Sequence, residues 1–226
     1  MKKQLSIVKI GGNVINNSKQ LDLFLHDFAK LNGLKILVHG GGRRATEMAD
    51  SLGLQPKMIG GRRVTDEANL EVVTMVYAGL LNKNIVAKLQ AKACNALGLS
   101  GADANVVKAH KRIVKEIDYG FAGDIDEVDN KTIALFLNGG MTPVFSAITH
   151  DGQGQLLNTN ADTIAAELAK VLSDEFEVEL IYCFEKNGVL RQLNDDDSVI
   201  EQIDKISYER LKKEGVIAEG MLPKME

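Results

Sequence analysis

Leu5-Ser6-Ile7-Val8-Lys9-Ile10-Gly11-Gly12 and Ile36-Leu37-Val38-His39-Gly40-Gly41-Gly42 repeat one pattern, an apolar run that ends in a glycine-rich turn. A strand, such a turn and a following helix are how α/β proteins hold phosphate. Glycine lets the backbone come close to an anion and point its N–H groups at it. Two such turns, Gly11-Gly12 and Gly40-Gly41-Gly42, can grip one phosphoryl group from two sides, with their backbone N–H groups as candidate phosphate contacts. Lys9 stands at the mouth of the first turn, where a cation neutralises the group. Neither turn fits GxxxxGK[ST] or GxGxxG, so each by itself also reads as a plain turn. Pairing with Lys9 is what gives the two turns meaning.

Outward from these turns, strand-like and helix-like segments alternate. A helix is expected from about Ser18 to Leu31 and another from about Arg43 to Leu52, stopped by Gly53. Leu70, Val73, Tyr77, Leu80, Leu81, Ile85 and Leu89 recur at three- and four-residue spacing, which predicts one long helix to about Leu97. Its apolar face serves the core or a subunit interface. Between residues 100 and 130 the rhythm breaks, and strands with a hairpin are expected over one side of the sheet. A helix to about Leu137, a strand Thr142–Ser146 and a hairpin arm Gly152–Leu157 follow. Ala161, Ile164, Ala165, Leu168, Ala169 and Leu172 then give a helix an apolar face. Val178–Tyr182 is a strand, and a last helix runs from about Lys205 to Glu214. This alternation predicts an α/β fold with an open, mostly parallel sheet and helices on both faces. Ligands in such sheets sit beyond the carboxyl ends of the strands, where both glycine turns fall.

The 226 residues suffice for one large domain or two tightly joined lobes, and 45% apolar with 26% charged residues is ordinary for a globular protein. A net charge of −4 argues against nucleic acid as a partner. No apolar stretch reaches the length of about 18 residues that a membrane span needs, and the start lacks a signal-peptide core. The expected location is cytoplasmic. Cys94 and Cys183 have no CxxC spacing and read as structural thiols. His26, His39, His110 and His150 make no zinc spacing, so no protein-bound metal is expected.

Further candidates lie along the chain. Arg62 and Arg63 are adjacent, so at most one of them is expected to point into a given cleft, where a guanidinium can hold a carboxylate through two hydrogen bonds; either also reads as a surface arginine. Asn158, Asn160 and Asp162 cluster where a strand arm meets a helix. Capping explains one of them. Three together invite a second job: Asn158 can donate to a substrate carboxylate and Asp162 can hold lysines by ion pairing. Lys224 follows Gly220-Met221-Leu222-Pro223. His39 reads as a base or as a structural strand-end residue.

The motifs Val8-Lys9-Ile10-Gly11-Gly12, Val38-His39-Gly40-Gly41-Gly42, Gly61-Arg62-Arg63-Val64-Thr65, Gly79-Leu80-Leu81-Asn82-Lys83, Gly120-Phe121-Ala122-Gly123-Asp124, Gly154 to Asp162 and Gly220 to Lys224 stand in an order and spacing that resemble the amino acid kinase family over essentially the whole chain. Within it they resemble the branch acting on N-acylated glutamate. The resemblance implies a three-layer αβα sandwich. It implies phosphorylation by ATP, with Mg²⁺ carried on the nucleotide, of the side-chain carboxylate of an N-acetylated or other N-acylated glutamate such as N-succinyl, a step toward arginine. It implies that Lys9 and Lys224 stabilise charge on the transferring group and that Asp162 orients both. Gly12 and Gly42 would contact phosphoryl oxygens, Arg63 and Asn158 the α-carboxylate, and Gly41 the acyl-glutamate. It also implies an acyl-glutamate lobe over about residues 1–173, a nucleotide lobe over about 174–226, and a homodimer built on the long helix.

Some features depart from the family. Its members run on past the lysine matching Lys224 by another helix and strand. Glu185 stands where they carry Asp near the nucleotide, and Arg43-Arg44 where they have smaller residues. If those arginines face the acyl pocket, a charged acyl group such as succinyl is favoured. The first strand leaves no room for the extra helix of arginine-inhibited hexamers, so a dimer insensitive to arginine is expected. Two other readings are a non-catalytic sensor of nucleotide or acyl-amino acid, and a sibling kinase of another carboxylate.

Overall fold

The computed structural model describes residues 2–60, 62–192, 194–217 and 221–225; Gly61 and Gly220 of the motifs above lie outside the described residues. In chain order the elements are β1 (Gln4–Ile10), α1 (Gly12–Asn16), α2 (Ser18–Lys30), β2 (Leu34–His39), α3 (Gly42–Ser51), the short β3 (Met58–Ile59) and β4 (Arg62–Arg63), α4 (Glu67–Thr74), a π-helical segment Met75–Leu81, and α5 (Asn82–Gln90). There follow β5 (Ala96–Leu99), β6 (Val107–Lys111), β7 (Gly123–Val128), α6 (Asn130–Asn138), β8 (Thr142–Ser146), β9 (Ile148–His150), β10 (Leu156–Asn158), α7 (Ala161–Leu172), β11 (Glu177–Cys183), α8 (Lys205–Lys213) and α9 (Leu222–Met225).

Five strands form the main sheet in the order β11-β1-β2-β8-β5, and every pairing in it is parallel. Side chains alternate across a strand, and the sequence uses both faces. Leu5 and Ile7 of β1 with Ile36 and Val38 of β2 enter a core shared with α3, α4, α6 and α7. Val8, Ile10 and Leu37 enter the other, against Ile15, Leu25, Phe28, Ile85 and Leu89 from α1, α2 and α5. Helices therefore cover both faces, giving the αβα sandwich. A second sheet, β10-β9-β6-β7, carries the hairpin region.

Register decides where the site falls. Ile10 pairs with His39 across β1 and β2, and with Cys183 across β1 and β11. The two glycine turns thus leave adjacent strands at the same level.

The long helix differs from its expectation. It ends at Gln90, and Ala96–Leu99 is an edge strand rather than helix. Ala and Leu are good helix formers, so the sequence pattern ran on through them. Pairing with β8 overrides that local preference, and Ala93 at φ 57° reverses the chain. The helix also serves both cores. Val73, Val76 and Tyr77 face one, Ile85 and Leu89 the other, and Leu81 packs against both. The π turns at 75–81 lie at this change of face. Ile113 and Val114, expected among strands, are exposed in the loop after β6.

Candidate active site

Both glycine turns open into a cleft of about 300 Å³ bordered by Lys9, Gly12, Gly40, Gly41, Gly42, Arg63, Asn158 and Asp162. Asp162 sits in the first turn of α7, whose cap is Asn160: its side chain accepts from the N–H of Asp162 and of Thr163. The helix N-terminus stabilises a carboxylate there. Two ammonium groups meet it. Lys9 Nζ lies 2.6 Å from Oδ1 and Lys224 Nζ lies 3.0 Å from Oδ2. All three side chains are 10–15% exposed. Burial pushes the Lys9 ammonium below its ordinary pKa; Asp162 opposes that shift and Lys224 adds to it. Lys224 reaches this point from the four-residue α9, far away in sequence.

The turn after β2 is built to close tolerance. Gly41 has φ 152°, and a Cβ there would lie 2.3 Å from Leu81 Cδ1 and 3.1 Å from the Tyr77 ring. Only glycine suits this conformation and this contact. Arg63, on β4, is buried. Its Nη2 donates to Gly42 O at 3.0 Å and to Thr46 Oγ1 at 2.7 Å, and its Nη1 to Asn69 Oδ1 at 3.4 Å. Asn158 ends β10 and donates one amide hydrogen to Thr65 Oγ1 at 3.0 Å. An amide nitrogen has a second hydrogen to give.

Three sequence readings change. Gly11 donates its N–H to Cys183 O at 2.9 Å, which ties β1 to β11 and withholds that donor from the cleft. Gly12 and Gly42 open α1 and α3, where first-turn N–H groups have no helical partner. Arg62 and Arg63 both border the cleft, although adjacency had suggested one. Arg43 and Arg44 pair with Glu47 and border a different hollow with Asn13, Leu80 and Glu185, so they do not line the cleft.

His39 is fully buried, which lowers its pKa to about 4. It is neutral at pH 7 and closed to solvent, so it is structural rather than a base. Met58, Arg112 and Tyr119 also border the cleft and were not picked out from sequence. The Gly120-Phe121-Ala122-Gly123-Asp124 motif pointed near them. Arg112 grips Asp124 through Nε and Nη2, and that contact lowers the Asp124 pKa.

A cleft with two buried lysines on one carboxylate, two glycine turns and a buried arginine can bind a polyanion and a carboxylate together. The described residues hold no cluster of three His, Cys, Asp or Glu side chains suited to a metal. No described helix is long and apolar enough to cross a membrane.

The fold and this cleft define a phosphotransferase of the α/β class, and residues 4–226 match the family model described as "Amino acid kinase family". The chain belongs to that family of kinases. Among curated relatives it is similar to acetylglutamate kinase of Bacteroides fragilis, 56% identical over the whole of this chain and 87% of the relative. It is also similar to acetylglutamate kinase of Methanopyrus kandleri, 35% identical over 98% of this chain and 88% of the relative. Among solved structures it resembles smu.665 from Streptococcus mutans with a TM-score of 0.79 and 27% identity, covering 98% of this chain and 87% of that one. N-acetylglutamate synthase from Neisseria gonorrhoeae, at 20% identity, shares the fold with a TM-score of 0.81 over 99% of this chain and 50% of its own.

Proposed function

We propose that the chain phosphorylates the side-chain carboxylate of N-acetyl-L-glutamate with ATP, yielding an acyl phosphate and ADP in arginine biosynthesis. The single observation that carries this is Asp162 holding Lys9 and Lys224 at one point beside the two glycine turns. A carboxylate is ionised at neutral pH, so the nucleophile needs no base. Repulsion between it and the triphosphate is the obstacle. Positioning and charge stabilisation therefore supply the catalysis.

In this reading Arg63 and Asn158 hold the α-carboxylate of the acyl-glutamate and Gly41 packs against it. The side-chain carboxylate oxygen attacks the γ-phosphorus, the bond to the bridging oxygen breaks, and that electron pair leaves on ADP. Lys9 and Lys224 neutralise the transferring group from opposite ends. The N–H groups of Gly12 and Gly42 donate to its oxygens. Mg²⁺ arrives on the nucleotide. Residues 1–173 form the acyl-glutamate lobe and 174–226 the nucleotide lobe. The long helix, with Met75 and Leu80 exposed, joins two chains in a cytoplasmic homodimer.

A second acyl group has one observation in its favour. Arg62 and Arg112 border the same cleft beside Tyr119, and a guanidinium suits the free carboxylate of an N-succinyl group.

The test is ADP release with MgATP and N-acetylglutamate, N-succinylglutamate or free glutamate, with hydroxylamine trapping the acyl phosphate. Release and trapping that depend on an acylated substrate support the proposal, and the better substrate names the acyl group. Dependence on free glutamate instead identifies a sibling kinase. Binding without turnover by folded protein identifies a sensor.

A further inference from the structure

His39 has hydrogen-bond partners on both ring nitrogens, and the two partners allow one arrangement of protons. Nδ1 lies 2.8 Å from the carbonyl oxygen of Gly40. A carbonyl only accepts, so Nδ1 carries the hydrogen. Nε2 lies 3.1 Å from Nδ2 of Asn82. An amide NH₂ only donates, so Nε2 presents its lone pair. The orientation of Asn82 is fixed separately, because Nδ2 also donates to Val144 O at 2.8 Å while Oδ1 accepts from Lys83 Nζ at 3.3 Å. The donors therefore run in one direction, from Asn82 through His39 to Gly40. Both side chains are buried, His39 completely. Asn82 begins α5, directly after the π-helical segment whose Tyr77 and Leu81 press on Gly41.

We infer that His39, as the neutral Nδ1–H tautomer set by Asn82, is a positioning residue that aims the glycine turn at the transferring phosphoryl group. In a trans peptide the C=O and N–H point in opposite directions. Holding the Gly40 carbonyl toward the buried imidazole turns the Gly41 N–H away from it, on the cleft side. Arg63 holds the Gly42 carbonyl in the same way from β4. The turn is thus fastened at two carbonyls, those of Gly40 and Gly42, on either side of Gly41. Preorganised donors of this kind cost no reorganisation when charge develops. This rests on the proposed kinase reading for its catalytic consequence, whereas the tautomer stands independently of it.

Two variants separate the ends of the ring. In H39N the amide nitrogen falls where Nδ1 was and keeps the bond to Gly40. In H39Q the amide falls near Nε2 and keeps the Asn82 end only. Both leave space in the core, so both lose stability. The expected result is that H39Q lowers kcat about tenfold or more, leaves KM for the acyl-glutamate unchanged, and shifts the amide NMR signals of Gly41 and Gly42. H39N is expected to keep kcat within a few-fold of the parent. Equal loss of kcat in both, or full kcat in H39Q, would overturn the inference. Nitrogen NMR of the imidazole in the parent chain is the second readout. It should show a protonated Nδ1 and a bare Nε2 unchanged from pH 8 to pH 6. A protonated Nε2 would overturn the inference whatever the variants do. If the parent phosphorylates no acyl-glutamate, the function proposal falls. The imidazole spectrum and the Gly41 amide signals still decide this one.

Discussion

The ammonium of Lys9 and the carboxylate of Asp162 meet at 2.6 Å across two elements, β1 and α7, that are separated by most of the chain. Lys224 takes the other carboxylate oxygen at 3.0 Å. One anion therefore holds two buried cations beside the cleft. Two like charges so placed repel each other, and in the proposed reaction an incoming phosphoryl group would relieve that repulsion. In the proposed reaction the same charges would stabilise the transferring group.

Lys9→Ala should lower kcat by about a hundredfold or more, the usual loss for one preorganised charge-stabilising donor, with KM for acyl-glutamate little changed. The pH profile gives a further check. Burial holds the Lys9 pKa below its ordinary 10.5, so activity should fall on the alkaline side earlier than a free lysine titrates. Asp162 props that pKa up; Asp162→Asn should move the alkaline limb to still lower pH. The stability sign is opposite. The cost of burying the ammonium is present in full at neutral pH and is relieved as pH rises from the folded pKa toward 10.5. Steady-state rates from pH 7 to pH 10 on the parent and on Asp162→Asn check the alkaline limb.

Arg63→Lys keeps the charge and loses the planar fork. Lysine cannot span Gly42 O, Thr46 Oγ1 and a substrate carboxylate at once. KM for acyl-glutamate should rise by about tenfold or more, and KM for ATP should hardly change. Initial rates with each substrate varied in turn distinguish the two effects.

Gly41→Ala should be among the most damaging single substitutions, since it meets both a positive φ of 152° and the Leu81 methyl at 2.3 Å. A loss of about 1–3 kcal/mol is expected from the backbone alone. Adding Leu81→Ala removes the collision and leaves the backbone strain. The double variant should regain part of the stability but little of the turnover, as urea unfolding and kinetics would show.

His39 makes stability fall on the acid side. Its pKa is about 4 in the fold against 6.5 in the open chain. Above pH 6.5 both states are neutral and the stability is complete. Between 6.5 and about 4 the unfolded chain takes up a proton that the fold refuses, and stability drops by on the order of 3 kcal/mol. Denaturant unfolding at pH 7 and pH 4.5 should show this drop in the parent and a smaller one in H39N.

Much of this site was legible because its parts are local. The glycine turns, a helix cap among Asn158, Asn160 and Asp162, and the strand Thr142–Ser146 all follow from short patterns; the structure has each, with Asn160 as the cap. The pairing of Lys9 and Lys224 on Asp162 was readable only through family resemblance, since no local pattern relates residues so far apart. Tertiary effects stayed hidden. The Gly11 N–H is taken by β11, a strand that arrives late in the chain. Ala96 and Leu97 are good helix formers, yet Ala96–Leu99 completes the sheet edge beside β8. Arg112 and Tyr119 reach the cleft from a loop that gives no periodic signal. Arg43 and Arg44 follow the glycines directly, yet the helix turns them toward Glu47.

The most direct measurement is phosphorus NMR of the chain with MgATP and N-acetyl-L-glutamate labelled with heavy oxygen in its side-chain carboxylate. The account predicts an acyl phosphate signal, equal to the ADP formed and carrying the isotope shift of a labelled bridging oxygen. ADP without any acyl phosphate, or a phosphoryl product whose bridging oxygen is unlabelled, would contradict it.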